Sequence, residues 1–490
     1  MSGETLILAV LTIPLITAFA IFLLDTVPDL REGATLLGAG ALFVTTILLV
    51  SGMEVGEGLS LTVASAAPGL DFSFKLEPLG ALFALVASGL WIVNSFYSIG
   101  YMRGNRERNQ TRFYICFAIA LFGAMGVALA GNLFTLFIFY EVLTISTYPL
   151  VAHKGDANAQ RGARIYLMTL LGTSIGLFLV AIVGTSTIAG SLDFVPGGLL
   201  AGKVSPVVGN LLLLLFAFGI GKAALMPFHF WLPNAMVAPT PVSALLHAVA
   251  VVKAGVFAML KIAIYVFGID LLNDLPATDW VLAVACFTIL ASSLIALTKD
   301  NLKARLAYST IGQLAYVTAG AMLATEAGFL GGSLQIAAHA MGKITLFMCA
   351  GAIYVATGLT EISDMRGLGR RMPWVFGAFF VASLSIIGIP PLAGGWPKFQ
   401  LLLGAVEAKH AYVAWVLLIS SLLNIAYLLP IPILGLLPPK GTPEPAPYKR
   451  PEGAPRLVVI APVVTATGTF VLFFAMGAIA HFLSPILGGA

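Results

Sequence analysis

The chain has 490 residues, of which 59% are hydrophobic and only 10% charged, with a formal net charge of +4 and a mean hydropathy of +0.98. A soluble domain carries about 25% charged residues, so a soluble globular protein is excluded. The small net charge and the absence of a basic stretch interleaved with aromatics also exclude a nucleic-acid binder.

Apolar runs of about 20 residues, enough to cross a bilayer, recur along the whole length. They are continuous rather than alternating, which excludes a β-barrel. The fold class expected is an all-α polytopic membrane protein with about fourteen spans, near 4–24, 34–52, 78–101, 114–130, 133–151, 165–187, 207–228, 242–267, 280–298, 306–322, 331–356, 373–404, 411–436 and 457–484. The first run has no positive n-region and no A-x-A-like cleavage site, so it reads as a retained span. Spans 4 and 5 are parted only by a GNL turn. Cys116, Cys286 and Cys349 lie in separate runs without paired spacing; no disulfide framework, metal cluster or c-type haem attachment is implied.

Eighteen of the 26 Lys and Arg residues fall in connections after odd-numbered spans, from Arg31 to Arg456, and three (Lys75, Lys203 and Lys409) in connections after even-numbered spans. Positive loops stay cytoplasmic. The odd connections are therefore expected on the cytoplasmic side and both termini on the outer side of a cell inner (plasma) membrane.

Five basic residues remain inside spans: Lys222, Lys253, Lys261, Lys343 and Lys398. Of 22 acidic residues, only Glu141 falls in a span interior. Intramembrane charges cost ~2.5–3.5 kcal/mol each on insertion scales and mark ion or proton pathways. Desolvation disfavours the charged form of an amine, which suits a group that takes up and releases protons. Lys222 and Lys253 lie mid-span, too deep to snorkel. Glu141, in LFIFYEVLTIS, is either a relay group or a structural partner for a lysine. His339 and Lys343, four apart in HAMGK, share a helical face and suit a proton relay; alone, His339 reads as a packed histidine. Lys261, nearer the outer end of span 8, reads as a snorkelling side chain.

Lys398 follows GIPPLAGGWP, in which Pro390 and Pro391 break span 12. Irregular backbone at membrane depth is tolerated only inside protein or along a wet cavity, so Lys398 reads as a channel exit. Span 7 has the matching feature, Lys222 before Pro227, with His229 seven residues on and near the same face. His247 is a possible relay group, although a straight helix places it on a different face from Lys253 and gives that face to Ser243. Broken helices at corresponding places point to an inverted-repeat transporter. The units expected are 1–110 (spans 1–3), 111–267 (first repeat, spans 4–8), 268–436 (second repeat, spans 9–13) and 437–490 (cytoplasmic loop and span 14).

The stretch MPFHFWLPNAMVAPTPVSALLHAVAVVKAG resembles the signature of the antiporter-like subunits shared by Mrp-type cation/proton antiporters and complex I. DNLKARLAYSTIGQLAY, HAMGKITLFMCAGAI, EISDMRGLGRRMPW and SIIGIPPLAGGWPKF are similar to further blocks of that family, in family order, and the resemblance covers most of residues 75–435. It implies fourteen helices with two inverted five-helix repeats. It also implies a switchable ion pair between Glu141 and Lys222, and a central hydrated line through Lys253, His339, Lys343 and Lys398. Length, Lys398 and the following SSLLNIAYLLPIP look most like the Mrp D branch, with no lateral helix after span 14; APTPVSALLHA also looks like the largest-subunit class. Many relatives have WLPDA where Asn234 stands here, which removes a charge at the cytoplasmic mouth.

The function implied is that of a proton-translocating subunit of a multisubunit Na+/H+ antiporter, a transporter subunit with no catalytic chemistry of its own. Its partners are other membrane subunits, the lipid bilayer, protons and Na+, and no nucleic acid. No metal site is expected, because one carboxylate cannot furnish the several oxygens a hard cation wants. No flavin, iron–sulfur or nucleotide motif is present, so no cofactor is expected. The alternative is the proton-pumping subunit of a complex I-type quinone oxidoreductase or membrane-bound hydrogenase, a translocase driven by redox partners. An inert scaffold fits poorly with five deep lysines.

Overall fold

A computed structural model of the chain describes residues 2–52, 59–437, 448–449 and 453–486, without the side chains of 246–248. The expected loop after span 13, with Lys440 and Arg450, lies mostly outside the described residues.

The chain folds into helices α1 (Gly3–Leu23) and α2 (Pro28–Ser51), a hairpin of β1 (Ser60–Ala67) and β2 (Leu70–Lys75), then α3 (Pro78–Gly104), α4 (Gln110–Leu129), α5 (Leu133–Val151), α6 (Ala157–Thr173), α7 (Leu179–Ala189), α8 (Pro206–Gly219), α9 (Trp231–Asn234), α10 (Thr240–Ala248), α11 (Val251–Ile262), α12 (Ile269–Asp274), α13 (Pro276–Thr298), α14 (Leu302–Met322), α15 (Glu326–Thr357), α16 (Pro373–Ile387), α17 (Gly395–Glu407), α18 (Ala411–Leu428), α19 (Pro430–Leu436) and α20 (Arg456–Leu483). Among the described residues, ten helical stretches are long and apolar enough to cross a membrane, and α8 and α16 are shorter apolar helices. The starts follow local chemistry. Asn132, Asp156, Asn301 and Thr325 accept from backbone N–H groups as N-caps of α5, α6, α14 and α15, and proline opens α2, α3, α8, α13 and α16, where its missing N–H costs nothing.

The hairpin is a departure from the all-α expectation. Gly69, at φ +78°, closes it after Pro68, and the alternation in LDFSFK turns Phe74 inward, where it is 3% exposed. Its first strand is paired to the second with two register shifts.

Connections after odd spans meet one another. Arg103 bonds Glu32 at 3.0 Å, Arg112 bonds the His153 carbonyl at 3.2 Å, Arg305 bonds the Tyr427 carbonyl at 3.2 Å, and Arg370 bonds the Leu436 carbonyl at 3.1 Å. Connections after even spans meet at the other end: Asn132 bonds the Asp71 carbonyl at 2.8 Å, Asn273 the Ala324 carbonyl at 3.2 Å, and His410 pairs with Asp279 at 3.2 Å. The basic residues therefore collect at one end of the helical bundle, as the charge distribution predicts.

Lys303, in the first turn of α14, ties two of these connections. Its Nζ donates to the carbonyls of Met236 (2.7 Å) and Ala238 (2.6 Å), beyond the break of span 7. Lys303→Met is expected to destabilise the protein by about 1.5–3 kcal/mol, the worth of charge-assisted hydrogen bonds, read as a lowered melting temperature of the purified complex.

Candidate functional site

Span 7 is not one helix. It stops at Ile220, makes a single tight turn over Gly221–Ala223, and resumes only at α9. Ala224 takes a left-handed conformation, φ +53°. The freed backbone groups find partners: the Trp231 indole donates to the Gly221 carbonyl at 3.0 Å and the Met226 N–H to Thr288 Oγ1 at 3.2 Å. Irregular backbone inside a membrane protein needs this satisfaction. The turn lies against Gly255 of α11, where a Cβ would come within 2.8 Å of the Lys222 Cβ. Only glycine lets the two segments approach so closely.

Lys222 is fully buried in this turn. Its Nζ donates to the Tyr140 carbonyl at 2.8 Å and to Thr144 Oγ1 at 2.6 Å, and stands 3.1 Å from the Tyr140 ring centroid. The Glu141–Lys222 ion pair that the resemblance implies is not formed. Both Glu141 carboxylate oxygens are buried and accept no hydrogen bond, while Lys222 is held by neighbours of Glu141 on the same helix. Thr144 is three residues on from Glu141 and therefore shares its face, so the lysine sits within one helical turn of the acid, on other acceptors. Thr144→Val removes one of these acceptors and is expected to slow proton-coupled transport about tenfold, read as initial rates in vesicles; an unchanged rate rules the hydroxyl out of the site.

Span 8 is also divided. α10 ends at Ala248 and α11 begins at Val251, so Lys253 sits in the first turn of a new helix. Its Nζ contacts His339 Nδ1 on α15. The face argument made for His247 assumed a straight helix, which this break removes; the His247 side chain itself lies outside the described residues. Lys343 follows His339 by one turn, is fully buried, and donates to the Leu306 carbonyl at 3.3 Å. The structure thus brings Lys222, Lys253, His339 and Lys343 into contiguous packing, through Gly255 and α15.

Lys398 lies in the first turn of α17, after a break over residues 388–394. Gly388 has φ +96°, and a Cβ on Gly394 would fall 1.8 Å from the Ser385 carbonyl oxygen. Lys398 Nζ donates to the Ile387 carbonyl at 2.7 Å and to Ser421 Oγ at 2.9 Å, and stands 5.2 Å from the Tyr316 ring. Between Lys343 and Lys398 lies a polar seam that sequence reasoning missed. The Tyr427 hydroxyl sits 2.9 Å from Ser309 Oγ and against Asn424 Oδ1, and Ser420 is 3.4 Å from Ser293. Asn424 and Tyr427 are visible in SSLLNIAYLLPIP as polar groups in an apolar run, three apart on one face.

Two expectations are corrected. Lys261 does not snorkel: it is fully buried, pairs with Glu77 at 3.1 Å, and donates to the Ala130 carbonyl at 2.6 Å. Glu77, the residue before α3, is therefore a further buried acid, as is Glu32 at the opposite end. His229 does not share a helical face with Lys222, because the intervening backbone is not helical; its Nδ1 lies 3.2 Å from the Pro227 carbonyl and its ring 6.3 Å from that of Tyr308. Asn234 is exposed on the surface and donates to the Phe230 carbonyl. No cluster of three or more metal-ligating side chains occurs among the described residues.

Residues 130–424 match the family described as NADH:quinone oxidoreductase/Mrp antiporter, TM. The chain belongs to this family. Residues 64–114 match NADH-Ubiquinone oxidoreductase (complex I), chain 5 N-terminus. Among curated relatives in the family, NADH-quinone oxidoreductase subunit N of Desulforudis audaxviator is 32% identical over 441 residues, covering 89% of this chain and 87% of that one. A probable K(+)/H(+) antiporter subunit of Rhizobium meliloti is 30% identical over 392 residues, covering 78% of this chain but only 38% of the relative. In fold, the chain is similar to part of the Mrp complex from Dietzia, with a TM-score of 0.85 at 24% identity, covering 99% of this chain and 52% of the other.

Proposed function

We propose that the chain is the proton-translocating subunit of a multisubunit monovalent cation (Na+)/H+ antiporter. Protons move along Glu141, Lys222, Lys253, His339, Lys343 and Lys398, and their passage is coupled to cation movement in the assembly. The observation that carries this reading is the contact between Lys253 and His339, flanked by two further fully buried lysines on the packed segments. A lysine amine and an imidazole in contact can exchange one proton without a net change of buried charge. Closing the Glu141–Lys222 pair would raise the proton affinity of Lys222 and opening it would lower it, because a nearby carboxylate favours the ammonium form.

The domain division follows the same reading: spans 1–3 in 1–110, repeats in 111–267 and 268–436 with the two broken helices at matching places, and a closing span in 437–490. The end bearing Arg103, Arg112, Arg305 and Arg370 faces the cytoplasm. Both termini then lie on the outer side of the plasma membrane.

The second reading, a proton-pumping subunit of a complex I-type quinone oxidoreductase or membrane-bound hydrogenase, is favoured by the near end-to-end match to a subunit N. Lys398 and the SSLLNIAYLLPIP stretch after it favour the D branch of the antiporters. Mass spectrometry of the complex purified from membranes separates the two. Small hydrophobic antiporter subunits are the expected companions; hydrophilic iron–sulfur subunits in stoichiometric amount would transfer the chain to the redox class.

A further inference from the structure

Among the described residues, one buried ion pair lies away from the relay and pairs a lysine of zero exposure. It sits where the even connections meet. Lys261 Nζ is 3.1 Å from Glu77 Oε2, with side-chain exposures of 0% and 6%. Glu77 Oε1 is in turn 3.8 Å from Lys75 Nζ, whose side chain is 31% exposed. Three titratable groups therefore step inward from the surface. The Lys261 ammonium completes its shell with the Ala130 carbonyl at 2.6 Å and the ring of Phe194 at 4.6 Å. Titratable groups on the neighbouring segments include Tyr265, whose ring is 5.9 Å from Lys261 Nζ, and two acids turned to other partners: Asp71 receives Ser65 Oγ, and Asp193 accepts from Ser191 Oγ at 3.0 Å.

Lys261 and Lys253 lie on one helix, eight residues and about 12 Å of rise apart. Phe257 is midway, one turn from each. Its ring is 5.6 Å from Lys261 Nζ and packs on Phe83 at 5.1 Å. A buried ion pair brings little net stability over apolar packing, so stability alone does not account for this one.

We propose that Glu77 and Lys261 form a proton-exchange station that connects Lys253 to the solvent at the outer end, with Phe257 as the apolar barrier between the two lysines. The Lys261 ammonium passes its proton to the Glu77 carboxylate, leaving a neutral amine and a neutral acid. Glu77 releases the proton to water beside Lys75, and Lys261 is recharged from the Lys253 ammonium across Phe257. The station rests on the relay reading of the previous subsection and adds a branch to it.

Lys261→Arg separates relay from scaffold. A guanidinium keeps the positive charge, the contact with Glu77 and the stacking on Phe194, but does not release a proton. The complex carrying Lys261→Arg is reconstituted in vesicles and proton transport is measured while the pH on the outer-end side is varied. The expected result is an assembled complex whose rate falls about tenfold or more and loses its dependence on that pH. The double variant Glu77→Gln/Lys261→Met, which leaves no unpaired buried charge, is expected to do the same. Wild-type rate and pH profile in either assembled variant overturn the station. Lys253→Ala in parallel keeps the two ideas apart: unchanged transport there contradicts the relay itself, whereas lost transport there with normal Lys261→Arg contradicts only the station.

Discussion

Lys222→Ala is expected to lower proton-coupled transport by about 10²-fold or more, the range that positioned proton-transfer groups contribute, while the complex still assembles. Assembly is expected because the substitution removes a buried ammonium rather than stranding one. The two oxygens it leaves, the Tyr140 carbonyl and Thr144 Oγ1, lie on a helix, and Thr144 already donates to the Tyr140 carbonyl at 3.2 Å. The loss is expected from the proposed relay, in which Lys222 is the amine held within one turn of Glu141; among the described residues, the tight turn over Gly221–Ala223 carries no other titratable side chain. Lys222→Arg is expected not to restore the rate, since a guanidinium holds its proton throughout the working pH range. Initial rates of vesicle acidification, normalised to the subunit content of the membrane, measure both.

The second large effect is structural. Gly394→Ala is expected to cost more than ~4 kcal/mol, beyond the range of ordinary substitutions. The new Cβ would lie 1.8 Å from the Ser385 carbonyl oxygen, a backbone atom at the end of α16 that cannot swing aside as a side chain could. The break over residues 388–394 would have to reopen. It is anchored by the Ala393 N–H on the Thr469 carbonyl of α20 at 3.0 Å, and it sets the position of Lys398. Loss of assembled complex from the membrane is the expected readout. Gly377→Ala, on the neighbouring α16 with open space around its Cβ, is the control and is expected to change stability by no more than about 0.5 kcal/mol.

Much of the polytopic helical fold was legible because a bilayer imposes one rule, about 20 apolar residues per crossing, and the apolar runs obey it. Which connections share an end was legible because the arginines and lysines mark them, and the structure brings those connections into contact with one another. The buried lysines were legible one by one for the same reason: a charge in an apolar run has no bland account except at a helix end. Lys261 shows where that exception misleads. Distance along the helix placed it near an end and suggested snorkelling, but its partner, Glu77, sits just before another span, and no local pattern ties residue 77 to residue 261.

The limits of helical spacing appear at the breaks in spans 7 and 8. His229 was placed on the face of Lys222 by counting residues, and the count has no meaning where Pro227 and the Gly221–Ala223 turn interrupt the helix. The hairpin of β1 and β2 had a signal, the Pro68–Gly69 turn and the alternating LDFSFK, which the surrounding apolar runs overshadowed. The seam of Ser309, Asn424, Tyr427 and Ser420 was harder to foresee. Asn424 and Tyr427 share a face of α18, but the groups that α18 meets, Ser309 and Ser293, come from α14 and α13, and each hydroxyl alone looks like the ordinary polar content of a buried helix.

The central claim is that protons cross this chain through its buried lysines. The direct test is the internal pH of vesicles holding the purified complex, followed by an enclosed dye after a Na+ gradient is imposed, with wild type compared with the assembled Lys222→Ala/Lys398→Ala variant. A gradient-driven pH change in the wild type and none above the protein-free leak in the variant is the predicted result; a variant that moves protons at the wild-type rate would contradict it.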